Sequence, residues 1–318
     1  EDLARAHDAI RRTTVTAVEQ ISKLVVMGVP LDLADNSAWR WECDDAEAPS
    51  LTAEQSDMLD LTISEVRDSP LCSCIKKGGR SAVWRYLEGA QWRIEPVRGK
   101  RVSTFFLETL EWRKEEGVGD ILDRAQSFAS EAASGKLFVR GTCLEGRPLI
   151  WFHLGRENNV VNPEDNVRFL LYTVERAIAS MGPEALGAKS RGQFCVVVDC
   201  TTVSGAGQLP SLAFVRQAVS MLMLRYPSRL GKLFLVNAGL TVYYLWQAIS
   251  LLLSSVTAEK VVVVSGTDER RQEVLLRHLS AEALEGGRLG LPGAPAFDVE
   301  RYLNAGGDAK RSGVAGVV

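Results

Sequence analysis

The sequence predicts an α/β protein: a mostly parallel sheet with flanking helices, preceded by an α-helical module. Three observations carry that reading. Residues 1–134 have almost no strand signal, whereas after Gly135 short β-rich runs alternate with helix-length segments, the pattern of a parallel sheet with crossover helices. Of the 318 residues, 46% are hydrophobic and 24% charged, ordinary globular usage that supports a large core. From Leu233 to Ala258 the chain runs 26 residues without a formal charge. Such a run must be buried against protein, a bilayer or a bound apolar ligand.

Taken in order, Glu1–Met27 has an amphipathic helical pattern and a Trp- and Asp-containing loop follows over Asp35–Pro49. Ser50-Leu-Thr-Ala-Glu54 offers cap residues for a helix over Thr52–Val66, because Ser and Thr side chains accept from the first orphan N–H groups. Gly78–Glu88 and Val97–Glu116 read as helices, the second through Val102, Phe105, Phe106 and Leu110 at helical spacing. The helical module is expected over 1–134. KLFVRG (136–141) and RPLIWFHL (147–154) then read as strands joined by a turn at Glu145-Gly146, and 166–182 as a helix. Strands over 193–200, 232–237 and 260–266 alternate with helices over 212–226, 241–255 and 270–279, which places the sheet domain at 135–303. Residues 304–318 lack apolar periodicity and are expected to be a disordered tail.

The uncharged run is long enough to cross a bilayer, for which ~20 apolar residues suffice. Its detail argues otherwise. Asn237, Gly239, Thr241, Gln247, Ser250, Ser254 and Ser255 interrupt it, and no basic cluster flanks it. It divides into a short β-rich strand, Lys232–Asn237, and a helix, Thr241–Ser255, apolar on nearly every face.

A net charge of −3 and a pI near 5.8 give no electrostatic footprint for nucleic acid. Six cysteines without a paired framework read as reduced thiols. Cys72-Ser-Cys74 has no His or further Cys nearby in sequence, so no metal is expected. No cofactor is expected either. The opening EDLARAHDAIRR has no apolar h-region; no signal peptide is expected there, and a cytoplasmic monomer is.

Tyr226-Pro-Ser-Arg-Leu-Gly-Lys-Leu-Phe-Leu-Val-Asn-Ala238, the downstream Trp246, Val256-Thr-Ala-Glu-Lys260 and Leu284-Glu-Gly-Gly287 resemble the CRAL-TRIO lipid-binding family, which includes yeast-type phosphatidylinositol/phosphatidylcholine transfer proteins. Gly146-Arg-Pro148 and the Val196–Asp199 strand fit the same pattern, and Trp84-Arg-Tyr-Leu87, Trp92 and Leu110-Glu-Trp-Arg113 resemble its preceding helical module. The likeness runs from Val83 to Gly287. It implies a CRAL-TRIO-like sheet with an apolar pocket that holds one phospholipid, phosphatidylinositol above all, and exchanges it at a membrane surface visited transiently.

In that resemblance Thr241–Ser255 is the gate over the pocket, with Leu240, Val242, Tyr243, Trp246, Ile249 and Leu253 as gate or pocket residues. Phe194 and Val196 fall on one face of the central strand and are expected to face the cavity. Thr257 and Lys260 match the pair that grips the inositol phosphate, and Ser228 and Arg229 lie in the matching headgroup step. The physical logic is independent of the likeness. Each acyl methylene leaving a membrane costs ~0.8 kcal/mol unless an apolar wall replaces the bilayer, on the order of 20 kcal/mol for two long chains.

Three departures qualify the match. Ser228 stands where the family has Glu; Arg85-Tyr-Leu-Glu-Gly-Ala90 stands where it has Arg-Phe-Leu-Arg-Ala-Arg; Phe194 and Val196 stand where the phosphatidylcholine binders have Ser and Thr. Choline-headgroup recognition is therefore not expected. As for catalysis, no G-x-G-x-x-G, G-x-x-x-x-G-K-[ST] or G-x-S-x-G occurs. Ser204-Gly-Ala-Gly207 reads as a turn, Asp199 as a loop cap, and His153, with no partner visible in the sequence, as a satisfied or surface histidine. No catalytic residue is assigned, and a non-enzymatic protein is expected. A module that senses or presents lipid without shuttling it is the alternative, followed by an α/β enzyme acting on a phosphorylated or lipid substrate.

Overall fold

A computed structural model of the protein describes residues 50–72, 80–93, 100–156, 163–201, 210, 212–239, 246, 255–288 and 294–304. The predicted helix Glu1–Met27, the loop Asp35–Pro49, most of the uncharged segment and the tail beyond 304 lie outside the described residues.

The first part is helical: α1 (Ala53–Val66), α2 (Ser81–Gly89) and α3 (Val102–Glu115). Helix α1 starts where expected because Thr52 accepts from the Gln55 N–H while the Gln55 side chain accepts from the Thr52 N–H, a reciprocal capping box. Leu59, Ile63, Trp84, Leu87, Phe106 and Leu110 form a core of their own. Two 3₁₀ turns, Val118–Asp120 and Ala125–Phe128, and α4 (Ala129–Ala132) follow. Val118, Ile121 and Phe128 already belong to the core beneath the sheet.

The sheet has five strands: β1 (Leu137–Thr142), β2 (Pro148–His153), β3 (Phe194–Asp199), β4 (Leu230–Val236) and β5 (Val261–Val264). Their order in space is their order in sequence. β1 runs antiparallel to β2, and β2 to β5 are mutually parallel. The antiparallel pair follows from the short turn between them, since parallel neighbours need a long crossover. Those crossovers carry α5 (Pro163–Ala179) and α6 (Pro183–Leu186) between β2 and β3, α7 (Leu212–Arg225) between β3 and β4, and α8 (Ser255–Ala258) just before β5. After β5 come α9 (Asp268–Leu276), capped by Thr267, and α10 (Ala281–Gly287), capped by Ser280. β4 begins two residues earlier than expected.

The two faces of the sheet are covered by different helices. α5 packs on β1 and β2 and against α7, and Phe214 of α7 meets Phe152 edge to face at 6.3 Å. On the opposite face the Phe234 and His278 rings lie 5.3 Å apart, and α10 lies on β1. There Gly287 is required by space: a Cβ on it would collide with the Trp151 indole.

Candidate functional site

Strand register assembles two apolar rows on the face that carries α5 and α7. One is Leu137–Phe152–Val198–Leu235–Val263 and the other Val139–Ile150–Val196–Leu233–Val261. Every member is aliphatic or aromatic, since side chains two apart point the same way and each strand places its Val, Leu, Ile or Phe there. Leu137, Ile150 and Leu235 are buried in these rows, Val139, Phe152, Val196, Val198, Leu233 and Val261 are half-buried, and Val263 at the β5 edge is 44% exposed. On the other face Cys195, Val197, Phe234 and Val264 are all buried. A wide apolar shelf thus borders the point where the uncharged segment leaves β4.

Phe194 is buried in the main core, while Val196 is half-buried on the shelf. Trp246 is helical and half-buried. Leu240, Val242, Tyr243, Ile249 and Leu253 lie outside the described residues.

At the N-terminal edge of the parallel strands the fold brings together polar residues far apart in sequence. Arg147, Gln193, Arg229 and Lys260 each immediately precede a strand, β2, β3, β4 and β5 in turn. Arg147 donates to the Lys189 carbonyl at 3.0 Å and pairs with Glu145. Arg229, 2% exposed, donates to the Gly192 carbonyl at 2.7 Å. Lys260 donates through Nζ to the Leu230 carbonyl at 2.8 Å. Burial holds its ammonium below the ordinary lysine range; Glu88 opposes this, and Arg191 and Arg147 reinforce it. Arg191 pairs with Glu88, the residue standing where the resemblance has Arg. Thr257, half-buried in α8, accepts from the Lys260 N–H at 3.2 Å. Lys260 and Thr257 are therefore neighbours. Ser228 accepts through its carbonyl from Gln193 at 3.2 Å, in a left-handed turn with φ of 57°.

Tyr226 has a second role in the seam with the helical module. Arg113 of α3 makes a bidentate pair with Glu175 of α5 at 2.7 and 3.1 Å and donates to the Tyr226 hydroxyl at 3.2 Å. All three are buried. Arg85 of α2 donates to the Arg191 carbonyl at 2.7 Å, and Gly89 closes on Pro227.

At the opposite edge of the strands lies a satisfied histidine. His153 has a partner: its Nδ1 lies 3.3 Å from Asp199 Oδ2 and its Nε2 2.9 Å from the Gly287 carbonyl. Asp199 also accepts from the Thr201 N–H and hydroxyl and from Asn237 Nδ2. Burial alone would raise its pKa, but these hydrogen bonds outweigh it and draw the carboxyl down to about 2. His153 and Asp199 are 46 residues apart, and only the pairing of β2 with β3 joins them. Among the described residues no group of three or more His, Cys, Asp or Glu could hold a metal, and no helix there is long and apolar enough to cross a membrane.

Comparison with known proteins agrees with this architecture. A family model described as CRAL/TRIO domain matches residues 132–286. A CRAL-TRIO domain-containing protein of Schizosaccharomyces pombe is 25% identical over 226 residues, 67% of this chain and 21% of that one. The Sec14 cytosolic factor of the same yeast is 26% identical over 218 residues, covering 63% and 75% of the two chains. The SEC14 cytosolic factor of Eremothecium gossypii is 26% identical over 220 residues, covering 64% and 67%. The chain thus spans about a fifth of the first relative. The crystal structure of Sfh5 superposes with a TM-score of 0.49 at 12% identity, covering 67% of this chain and 80% of that one. Residues 132–286, with their mostly parallel sheet, thus form a CRAL-TRIO domain, the domain of a family of lipid-binding and lipid-transfer proteins.

Proposed function

We propose that the protein takes up a single phospholipid, phosphatidylinositol best of all, and exchanges it between membranes as a monomer that visits their surfaces from the aqueous side. The observation that carries this reading is the shelf of two apolar rows, half-covered toward β5, with Val263 44% exposed. An apolar surface of that kind is costly in water and suited to acyl chains.

The strand order supplies the cover. β2 to β5 advance in one direction across the sheet, so crossovers of one hand all lie on one face. The uncharged segment lies in the connection from β4 to β5 and is assigned, on the strength of that rule, to the face of α5 and α7. Leu240, Val242, Tyr243, Trp246, Ile249 and Leu253 then form the movable wall over the acyl chains. The anionic headgroup is assigned to the strand-start edge, where Lys260, Thr257 and Arg191 lie close to one another; an ammonium and a hydroxyl suit a phosphate. Ser228 and Arg229 shape this edge from the seam side. The relatives named cytosolic factors fit a protein acting from the aqueous phase.

The test is movement of fluorescent phosphatidylinositol from donor to acceptor vesicles. Acceleration by catalytic amounts of protein is expected, with one intact lipid bound per chain in native mass spectrometry. Binding without acceleration identifies a sensor, and a bound lipid of altered mass identifies an enzyme.

A further inference from the structure

The strand-start edge is organised around one turn, residues 189–192, just ahead of β3. Its four successive carbonyls are taken by three arginines. Arg147 donates to Lys189 at 3.0 Å and to Ser190 at 3.4 Å, Arg85 to Arg191 at 2.7 Å, and Arg229 to Gly192 at 2.7 Å. All three arginines are buried. So many charge-assisted bonds on one short turn fix its shape, and with it the place of Arg191, which holds a left-handed backbone with φ of 56°. The Arg191 guanidinium reaches α2, where it lies 5.1 Å from the Trp84 ring and pairs with Glu88.

That pair is one-sided. Its hydrogen bond runs from Nη2 of Arg191 to Oε1 of Glu88, and the buried Nε of Arg191 meets no acceptor among the described residues. A guanidinium held by a single bond lacks the second, parallel one that a carboxylate or phosphate can supply. The Arg191 and Glu88 side chains are 24% and 27% exposed, unlike the arginines that clamp the turn. Other cations adjoin the pair at the start of β4. Arg147 lies against Gly231, where a Cβ would meet it at 2.8 Å, and Lys260 holds the Leu230 carbonyl. Helix α2 delivers Glu88 to the same place, since Gly89 closes on Pro227. Glu145, the other carboxylate at this edge, is taken by Arg147.

We propose that Glu88 is a specificity-determining residue, a built-in counter-anion that admits a headgroup bearing one phosphodiester charge and rejects an inositol ring bearing a further phosphate. The inference rests on the assignment of the headgroup to this edge. A phosphodiester brings a single negative charge, which Lys260 and the unused donors of Arg191 meet. A ring phosphomonoester adds a charge of about −1.5 to −2, and Glu88 either repels it or must be displaced from Arg191. Selection of this kind works through a repulsive group as much as through an attractive one.

The experiment offers the full chain vesicles of phosphatidylcholine containing equal amounts of phosphatidylinositol and phosphatidylinositol 4-phosphate, and native mass spectrometry counts the lipid bound. The wild type is expected to prefer phosphatidylinositol over its 4-phosphate by about tenfold or more, and Glu88→Gln, which keeps an oxygen for Arg191, to lose most of that preference. Both lipids compete for the same protein, so a change in stability alone leaves the ratio unmoved. A Glu88 that merely fastens α2 to the turn predicts an unchanged ratio, and that result overturns the proposal. If Glu88→Gln does not fold, the wild type decides, and equal uptake of the two inositol lipids overturns it. A wild type that takes up phosphatidylcholine alone refutes phosphatidylinositol as the cargo, and Glu88 is then judged by itself: an inositol lipid appearing in Glu88→Gln upholds its role, and none appearing overturns it.

Discussion

Two donors from Thr201, one from Asn237 and the Nδ1 face of His153 converge on Asp199. A carboxyl drawn down to about 2 in the folded chain, against about 3.9 unfolded, contributes stability that is complete above the unfolded value and lost as pH falls through the folded one. The contribution is about 2 kcal/mol. Asp199→Asn is therefore expected to cost about 2 kcal/mol in urea denaturation at pH 6, with the gap from wild type closing toward pH 2. A gap that stays constant over that range contradicts the assignment. At the other edge, Lys260→Ala is expected to slow phosphatidylinositol transfer at least tenfold while shifting the urea midpoint little, because one of the two clustered cations nearest the headgroup is gone. Equal slowing for a neutral lipid would remove Lys260 from the headgroup site. Since burial lowers the Lys260 pKa, wild-type affinity for anionic vesicles should also fall at a pH below the range where free lysine titrates.

Among the elements, α10 shows packing overriding propensity. Gly286 and Gly287 are poor helix formers, yet Ser280 caps the helix by accepting from Ala283 at 3.0 Å, and Gly287 lets it close on Trp151. Gly287→Ala is expected to destabilise by about 1–3 kcal/mol through overpacking, although the substitution favours helix locally. A thermal midpoint at or above wild type would show that Trp151 gives way. The same contrast explains what could be read in the sequence. QFCVVVDC and KVVVVSG announce strands because buried parallel strands are continuously apolar, and Thr52 announces a cap. Helix α10 stayed hidden because its reason for forming is an indole 136 residues away in the chain. Lys260 and Thr257 were visible as chemistry, but Arg147, Glu88 and Arg191 joined them only through strand register and the seam, which no local pattern encodes.

At the scale of the molecule, α1 to α3 keep an apolar cluster of their own, Val118, Ile121 and Phe128 enter the core beneath the sheet, and a buried charged network ties α3 to α5. Removing one partner of a buried pair strands the other, a cost of about 3–5 kcal/mol. Glu175→Ala should therefore lower stability by about that amount, and Arg113→Met together with Glu175→Leu should recover most of it. Urea denaturation of the three proteins checks this. If the double substitution is no better than the single one, the loss comes from packing around α5 instead of the uncompensated guanidinium.

A sheet that advances in one direction gathers its crossover helices on one face and leaves the other to the C-terminal elements. Trp151 meets Gly287 of α10, and Phe234 meets His278 between α9 and α10. Under the proposed function, cargo preference is then separable from integrity: the half-buried Val196 and Val261 and the exposed Val263 can be enlarged or trimmed to suit other hydrocarbons, while the buried Leu137, Ile150 and Leu235 keep the core intact.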